Sequence, residues 1–319
     1  MDAARPSSPA KSIPDPSRDP STLALNWSKQ DVENRLGLFR AGRYTGPNKL
    51  LGFTLAAVGT PAFFALLTMV CIRVPYLKEF AEVFIRQGNL YTTAPATFLF
   101  IWAFSLLLLK RRKLAYQERA LHLAAVPQGS EFILNETSAR AVLDRIHGLV
   151  DHPRHFILLN RIDRALANLR NIGGLSDVST ILKSQAENDE NQIASSYTLI
   201  GGMVWAIPVL GFIGTVQGLS SAIGGFTKTL AIIDNIGELK QKLQGVTGGL
   251  STAFETTLVA LVMALILQLL ISALQKNETD FLDECNDYCH QHVIAKLRLV
   301  PHLAEDLRSQ VQAPTPTPA

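Results

Sequence analysis

Charge is scarce in this chain. Of its 319 residues only 18% are Asp, Glu, Lys or Arg, against about 25% in soluble domains. The formal net charge is +3, too small to mark a nucleic-acid-binding surface, and no nucleic-acid motif is present. Cysteine is rarer still. Cys71 falls in an apolar run, and Cys285 and Cys289 fall in a polar helical stretch, which excludes the disulfide framework of a small secreted fold. The opening residues, Met1 to Pro9, have no apolar core of signal-peptide length, so no cleaved signal is expected. Phosphate-binding loops are also missing. Gly224-Gly225-Phe226-Thr227-Lys228-Thr229 lacks the Gly-Lys pair that cradles a phosphate. No strand precedes Gly211, Gly214 and Gly218, so they make no dinucleotide fingerprint. An enzyme is not expected, nor is a cofactor.

Apolar residues are abundant, at 47%, and they come in long uncharged runs that place the chain in the membrane class. Leu50 to Ile72 has the length of one span, with Pro61 expected to kink it. Gln87 to Leu109 is the second run, and the block Lys110-Arg111-Arg112-Lys113 follows at once. Such a block marks the cytoplasmic end of a span. The third run, Ile193 to Thr227, extends roughly 50 Å as a helix, well past a hydrocarbon core of about 30 Å. The fourth, Leu243 to Gln275, is broken only by Glu255. The expected fold is therefore all-α: an integral membrane protein with four transmembrane helices and both termini cytoplasmic. A helical cytoplasmic domain lies between the second and third spans, and the third and fourth helices extend into the cytoplasm.

Outside these runs the signals are local. Residues 1–25 and 311–319 are rich in proline and small polar residues and read as disordered tails. Residues 26–49 read as a short amphipathic helix carrying Trp27, Leu36 and Phe39. It either lies at the membrane surface or packs on protein. Residues 114–192 carry helical periodicity, with Asn135 as a cap and Ser176 starting a segment that runs toward the third span. Residues 276–310 form a further cytoplasmic helix.

The third run carries an ordered small-residue stripe. Gly211, Gly214, Thr215, Gly218, Ala222 and Gly225 fall within about 100° on a helical wheel. Glycines there serve close backbone approach by another helix. In the fourth run Ala253, Thr257, Ala260, Ala264 and Gln268 fall within about 80°. Facing each other, the two stripes would line a narrow polar passage whose hydroxyls both donate and accept. Alternatively, each threonine simply bonds its own helix backbone. Glu255 is the only ionisable residue deep in a span and is by default a functional candidate. It points about 160° away from Thr257. It is a protonated packing residue, a partner to a basic group outside, or part of an ion path.

The segment Pro208-Val209-Leu210-Gly211-Phe212-Ile213-Gly214-Thr215-Val216-Gln217-Gly218, with Phe226 beyond it, resembles the signature of the MotA/TolQ/ExbB proton channel family. Gly249-Leu250-Ser251-Thr252-Ala253-Phe254-Glu255-Thr256-Thr257-Leu258 is similar to the last membrane helix of that family. Family members more often carry an acid where this chain has Thr252. The resemblance implies a proton-channel subunit of an inner-membrane motor. It places Thr215 and Thr257 on the ion pathway; Glu255 joins them as a candidate from its place in the span, and Pro208, Gly211, Gly214 and Gly218 are expected at helix packing. It divides the rest into a first transmembrane hairpin at 50–113 and a channel domain at 193–275. It also implies a homopentamer around a single-span partner of the MotB/ExbD/TolR kind, whose membrane aspartate carries the proton, in a bacterial plasma membrane. The alternative is an oligomeric membrane scaffold or signalling protein that does not conduct. A solute transporter is disfavoured, because no paired charges lie within the spans.

A metal is not expected. Cys285, Cys289 and His292 share one helical face, as zinc ligands would, but reduced thiols beside a surface histidine account for them equally. The same holds for His147, His152 and His155.

Overall fold

The structure, a computed structural model, describes residues 25–27, 33, 44–73, 78–86, 90–123, 125–127, 129, 132–167, 175–230 and 236–298. Among these residues it is all-helical apart from two isolated bridges. The order is α1 (Lys49–Arg73), α2 (Lys78–Ile85), α3 (Leu90–Leu121), α4 (Glu136–Leu149), α5 (Ile157–Ala167), α6 (Leu175–Ser196), α7 (Thr198–Leu230) and α8 (Ile236–Cys289). Among the described residues four stretches are long and apolar enough to cross a membrane: Lys49–Arg73, Leu90–Leu121, Asp177–Gly225 and Gln244–Ile294. Most of the amphipathic helix expected at 26–49, and the segment from 168 to 174, lie outside the described residues.

The chain divides into two compact units. One comprises Asp31–Arg119 and Ser184–Asn286. Within it α1 and α3 pack as a hairpin. Gly52 makes this possible, because a Cβ there would stand 2.6 Å from Leu106 Cδ2. Phe53 meets Trp102 edge-on, and the Trp102 indole donates to the Lys49 carbonyl over 3.3 Å. The α3 helix does not stop at the basic block. It continues through Lys110 to Leu121, since Leu114, Tyr116 and Ala120 still find burial. Helices α6 and α7 are separated only by a turn at Tyr197, so the third span and the segment before it are nearly continuous.

In the same unit α7 and α8 also approach closely. A Cβ on Gly211 would lie 2.6 Å from Ala260 Cβ, one on Gly214 2.6 Å from Thr256 Oγ1, and one on Gly218 2.8 Å from Ala253 Cβ. From α8, a Cβ on Gly249 would lie 3.2 Å from Ala222 Cβ. The small stripes read from the two runs thus face each other within one chain. Lipid offers no hydrophobic drive for helix association, so close backbone packing supplies it.

The other unit comprises Met1–Gln30, Ala120–Lys183 and Asp287–Ala319. Its core is built from Leu134, Val142, Ile146, Phe156, Leu159 and Ile162, all fully buried. Trp27 is buried too, stacked on His155 and edge-on to Phe156, with its backbone N–H donating to Asp151 Oδ1. Asn135 caps α4 as expected. Its side chain accepts from the Ser138 N–H and the Ser138 hydroxyl accepts from the Asn135 N–H, each over 2.8 Å. The chain after α8 is stitched to residue 134, with Leu134 N–H donating to the Lys296 carbonyl over 2.8 Å.

Two outcomes follow from this packing. Asn135→Ala removes the capping box and costs about 1 kcal/mol, seen as roughly fivefold faster hydrogen exchange of the α4 amides. Gly214→Leu forces the α7–α8 seam apart at a cost of about 1–3 kcal/mol, seen as a lower melting temperature of the purified protein in detergent. Gly224→Leu, where a side chain meets nothing within 4 Å, leaves that temperature unchanged.

Candidate functional site

The seam brings Thr215 of α7 and Thr257 of α8 into hydroxyl-to-hydroxyl contact. Thr215 Oγ1 lies 3.3 Å from the Gly211 carbonyl and 3.2 Å from that of Ala253. Thr257 Oγ1 lies 3.0 Å from the Gly211 carbonyl and 3.5 Å from that of Ala253. Two hydroxyls and two carbonyls therefore form one cluster of four oxygens across the helix interface. Each hydroxyl has one proton and several acceptors in reach, so the donor pattern can rearrange without moving a heavy atom far. Both threonines are half-buried. Gly211 and Gly214 are buried, and Pro208, which has no N–H for the carbonyl one turn earlier, lies a turn before them in α7.

Further hydroxyls stand on α8 and α3, two of them, Thr256 and Thr92, at Gly214. Thr256 is buried and donates to the Ala253 carbonyl over 2.9 Å. From α3, Thr92 Oγ1 lies 3.0 Å from where a Gly214 Cβ would stand. Thr93 donates to the Phe84 carbonyl over 3.3 Å. Thr97 is buried, and its hydroxyl finds no partner among the described residues. The α3 hydroxyls escaped the sequence reading, although Thr93 and Thr97 stand one turn apart, the signal that would have flagged a polar face.

Glu255 stands apart from the threonine pair. Its two carboxylate oxygens each lie 3.0 Å from Arg86 Nη1, and Ser251 Oγ donates to Oε1 over 2.9 Å. The glutamate side chain is 21% exposed and the arginine 42%. Of the roles open to it from sequence, this geometry is that of a partner to a basic group at a span end. A pair this exposed contributes little to stability.

A second polar cluster was not foreseen. Lys110 Nζ lies 2.6 Å from Glu278 Oε1, and the Tyr197 hydroxyl donates to Glu278 Oε2 over 2.7 Å. Lys113 Nζ lies 2.7 Å from Glu33 Oε2, and the Asn48 N–H donates to Glu33 Oε1 over 2.7 Å. Two members of the basic block are thus buried and paired, while Arg111 and Arg112 are exposed. The i, i+3 spacing of Lys110 and Lys113, which puts both on one helical face, was the available signal.

Among the described residues no group of three His, Cys, Asp or Glu is placed to hold a metal. Cys285 and Cys289 are buried, and neither is in a disulfide. His155 stacks on Trp27, His152 meets His155 edge-on, and His147 lies 3.6 Å from Asp163.

Comparison with known proteins adds one match. Residues 153–286 match the family model described as the MotA/TolQ/ExbB proton channel family. No curated protein and no solved structure matches the chain. The matched segment contains Thr215, Thr257, Glu255 and the whole glycine seam. The family's proteins are channel and transport-coupling proteins rather than enzymes. Residues 153–286 of this multi-pass membrane protein are thus similar to the MotA/TolQ/ExbB proton channel family.

Proposed function

We propose that the chain is the channel-wall subunit of an ion-driven motor in a bacterial inner membrane. Several copies, five by analogy with the family, surround a single-span partner. Cations pass along α7 and α8 and their flow shifts the complex mechanically. The observation that carries this reading is the Thr215–Thr257 hydroxyl cluster, set at a glycine seam inside the matched segment. An ion gradient supplies about 2.3 kcal/mol per charge per 100 mV, an energy source suited to a chain without a nucleotide motif. The seam carries hydroxyls rather than a carboxylate, which supports a partner aspartate as the proton carrier. The basic block and the apolar runs support cytoplasmic termini. They also support a cytoplasmic helical layer at 114–192, between the hairpin at 50–113 and the channel segment at 193–275. In this reading Pro208, Gly211, Gly214 and Gly218 hold the helices together, and Glu255 with Arg86 flanks the ion path at a span end.

A second reading has its own support. Both threonine hydroxyls reach carbonyls of their own chain, so they also suit a scaffold that uses the seam only for assembly. The two readings separate in proteoliposomes holding the protein with the single-span partner that co-purifies with it, using a pH-sensitive dye. Thr215→Val and Thr257→Val keep the size of the complex and lower proton flux about tenfold or more, a barrier increase of about 1.4 kcal/mol. Unchanged flux in both variants, with the complex intact, decides for the scaffold.

A further inference from the structure

Two buried ion pairs have no part in the reading above. Lys110 pairs with Glu278 and Lys113 with Glu33, and none of the four side chains is more than 6% exposed. Such pairs are weak evidence for stability, because well-packed apolar residues do as well. Their further hydrogen bonds converge on the turn before α1. Lys110 Nζ donates to Thr45 Oγ1 over 3.2 Å and Lys113 Nζ to the Gly46 carbonyl over 3.1 Å. Glu33 Oε1 accepts from the Asn48 N–H over 2.7 Å. The turn itself is strained. Tyr44 has φ 54°, alone among the described non-glycine residues in the left-handed region. A bulky residue stays there only where its surroundings over-determine it, and such residues cluster at functional sites, ligand clamps among them.

This turn forms one wall of a cavity of about 250 Å³. Leu106 of α3, Ser195 and Ser196 of α6, and Leu199 and Ile200 of α7 form the others. The cavity stands where spans end. Lys49 is the first residue of α1, and Leu106 lies one turn before Lys110, at which the second uncharged run stops. The Trp102 indole donates to the Lys49 carbonyl, and tryptophan favours the headgroup level of a bilayer. Its lining also has one sign of charge. Lys49 is exposed and is the charged residue on the wall, with no acidic residue beside it. A second cavity, by contrast, is lined by Glu190 and Asp283. Thr45 is 1% exposed. Its oxygen accepts from the Lys110 ammonium, and its own proton meets no acceptor among the described residues. A hydroxyl so polarised is a strengthened donor.

We propose that this cavity holds the phosphate of an anionic glycerophospholipid. An ammonium and a polarised hydroxyl beside an apolar wall, at headgroup depth, complement a phosphate that carries acyl chains. Lys49 pairs with one phosphate oxygen, and the Thr45 hydroxyl donates to another. Leu106, Leu199 and Ile200 meet the glycerol and the first methylenes. The volume falls below the roughly 300–1,000 Å³ of pockets that enclose a whole small molecule, so the acyl chains stay in the bilayer. Phe53, exposed and one turn into the span from Lys49, offers them a surface. Lys110 and Lys113 are positioning residues. Paired with their carboxylates, they hold the turn in place without adding net charge to the site. The proposal does not depend on ion conduction.

Native mass spectrometry of the purified full-length protein in detergent tests this, with phosphatidylglycerol, phosphatidylcholine and inorganic phosphate as probes. One phosphatidylglycerol per chain binds more tightly than any further molecule, and neither of the other probes displaces it at equal concentration. Lys49→Gln weakens that binding about tenfold, the scale of one charge-assisted hydrogen bond, and Lys49→Arg retains it. Arg112→Gln removes an exposed charge that does not line the cavity and leaves the binding unchanged. Equal affinity in Lys49→Gln and the wild type, or an equal loss in Arg112→Gln, overturns the site. Displacement by inorganic phosphate overturns a lipid as the occupant, and displacement by phosphatidylcholine overturns the selection for an anionic one.

Discussion

Backbone contact between α7 and α8 is the constraint from which the packing of these two helices and their hydroxyls follows. At Gly211, Gly214 and Gly218 there is no room for a β-carbon. Only this proximity lets a hydroxyl on one helix reach a carbonyl on the other. Thr215 reaches the Ala253 carbonyl over 3.2 Å, and Thr257 reaches that of Gly211 over 3.0 Å. Had the helices packed at an ordinary side-chain distance of 8–10 Å between axes, each threonine would bond only its own backbone. The glycines therefore fix the geometry, and the threonines use it.

That relation was legible in sequence because both halves of it are periodic. Small residues recurring at helical spacing mark a face, and a threonine on that face needs no distant information to be noticed. The Asn135 cap was legible for the same reason, since its partner is three residues away. Partnerships across long sequence separations were not. Glu255 was visible as an anomaly, but Arg86, 169 residues earlier, could not be paired with it by pattern. Lys110 and Lys113 were visible only as half of a block at the end of a span. Their burial depends on Glu278 and Glu33, 168 and 80 residues away. Charge counting treats a block as a unit, whereas a helix divides it by face, and two of the four lysines and arginines turned inward.

The distribution of charge along α7 and α8 follows from the cost of placing ions in hydrocarbon. Glu255 meets Arg86 near one end of the apolar stretch, and Glu278 meets Lys110 near the other. Between Glu255 and Lys276 the fourth helix has no ionisable residue, a rise of roughly 30 Å. Its only long polar side chains there are amides, Gln268 and Gln275. In the proposed channel, such a wall would lower the cost of a passing cation through hydroxyl and amide dipoles without trapping it on a fixed carboxylate.

The hydroxyl cluster also sets what motion the wall must allow. Within a single chain each threonine hydroxyl already has carbonyl acceptors, so a resting seam offers no free donor to a third party. Under the proposed channel function, solvating a passing proton or its water requires a hydroxyl to give up a carbonyl and turn outward. A neutral hydrogen bond is worth about 1 kcal/mol net, so the exchange is cheap. It needs a χ1 rotation rather than separation of the helices, and threonine has more than one χ1 well available in a helix. Both threonines are half-buried rather than sealed, which leaves that rotation a direction to take. A seam tight enough to hold the backbones and loose enough at two side chains reconciles rigid helix packing with transient contact to an ion.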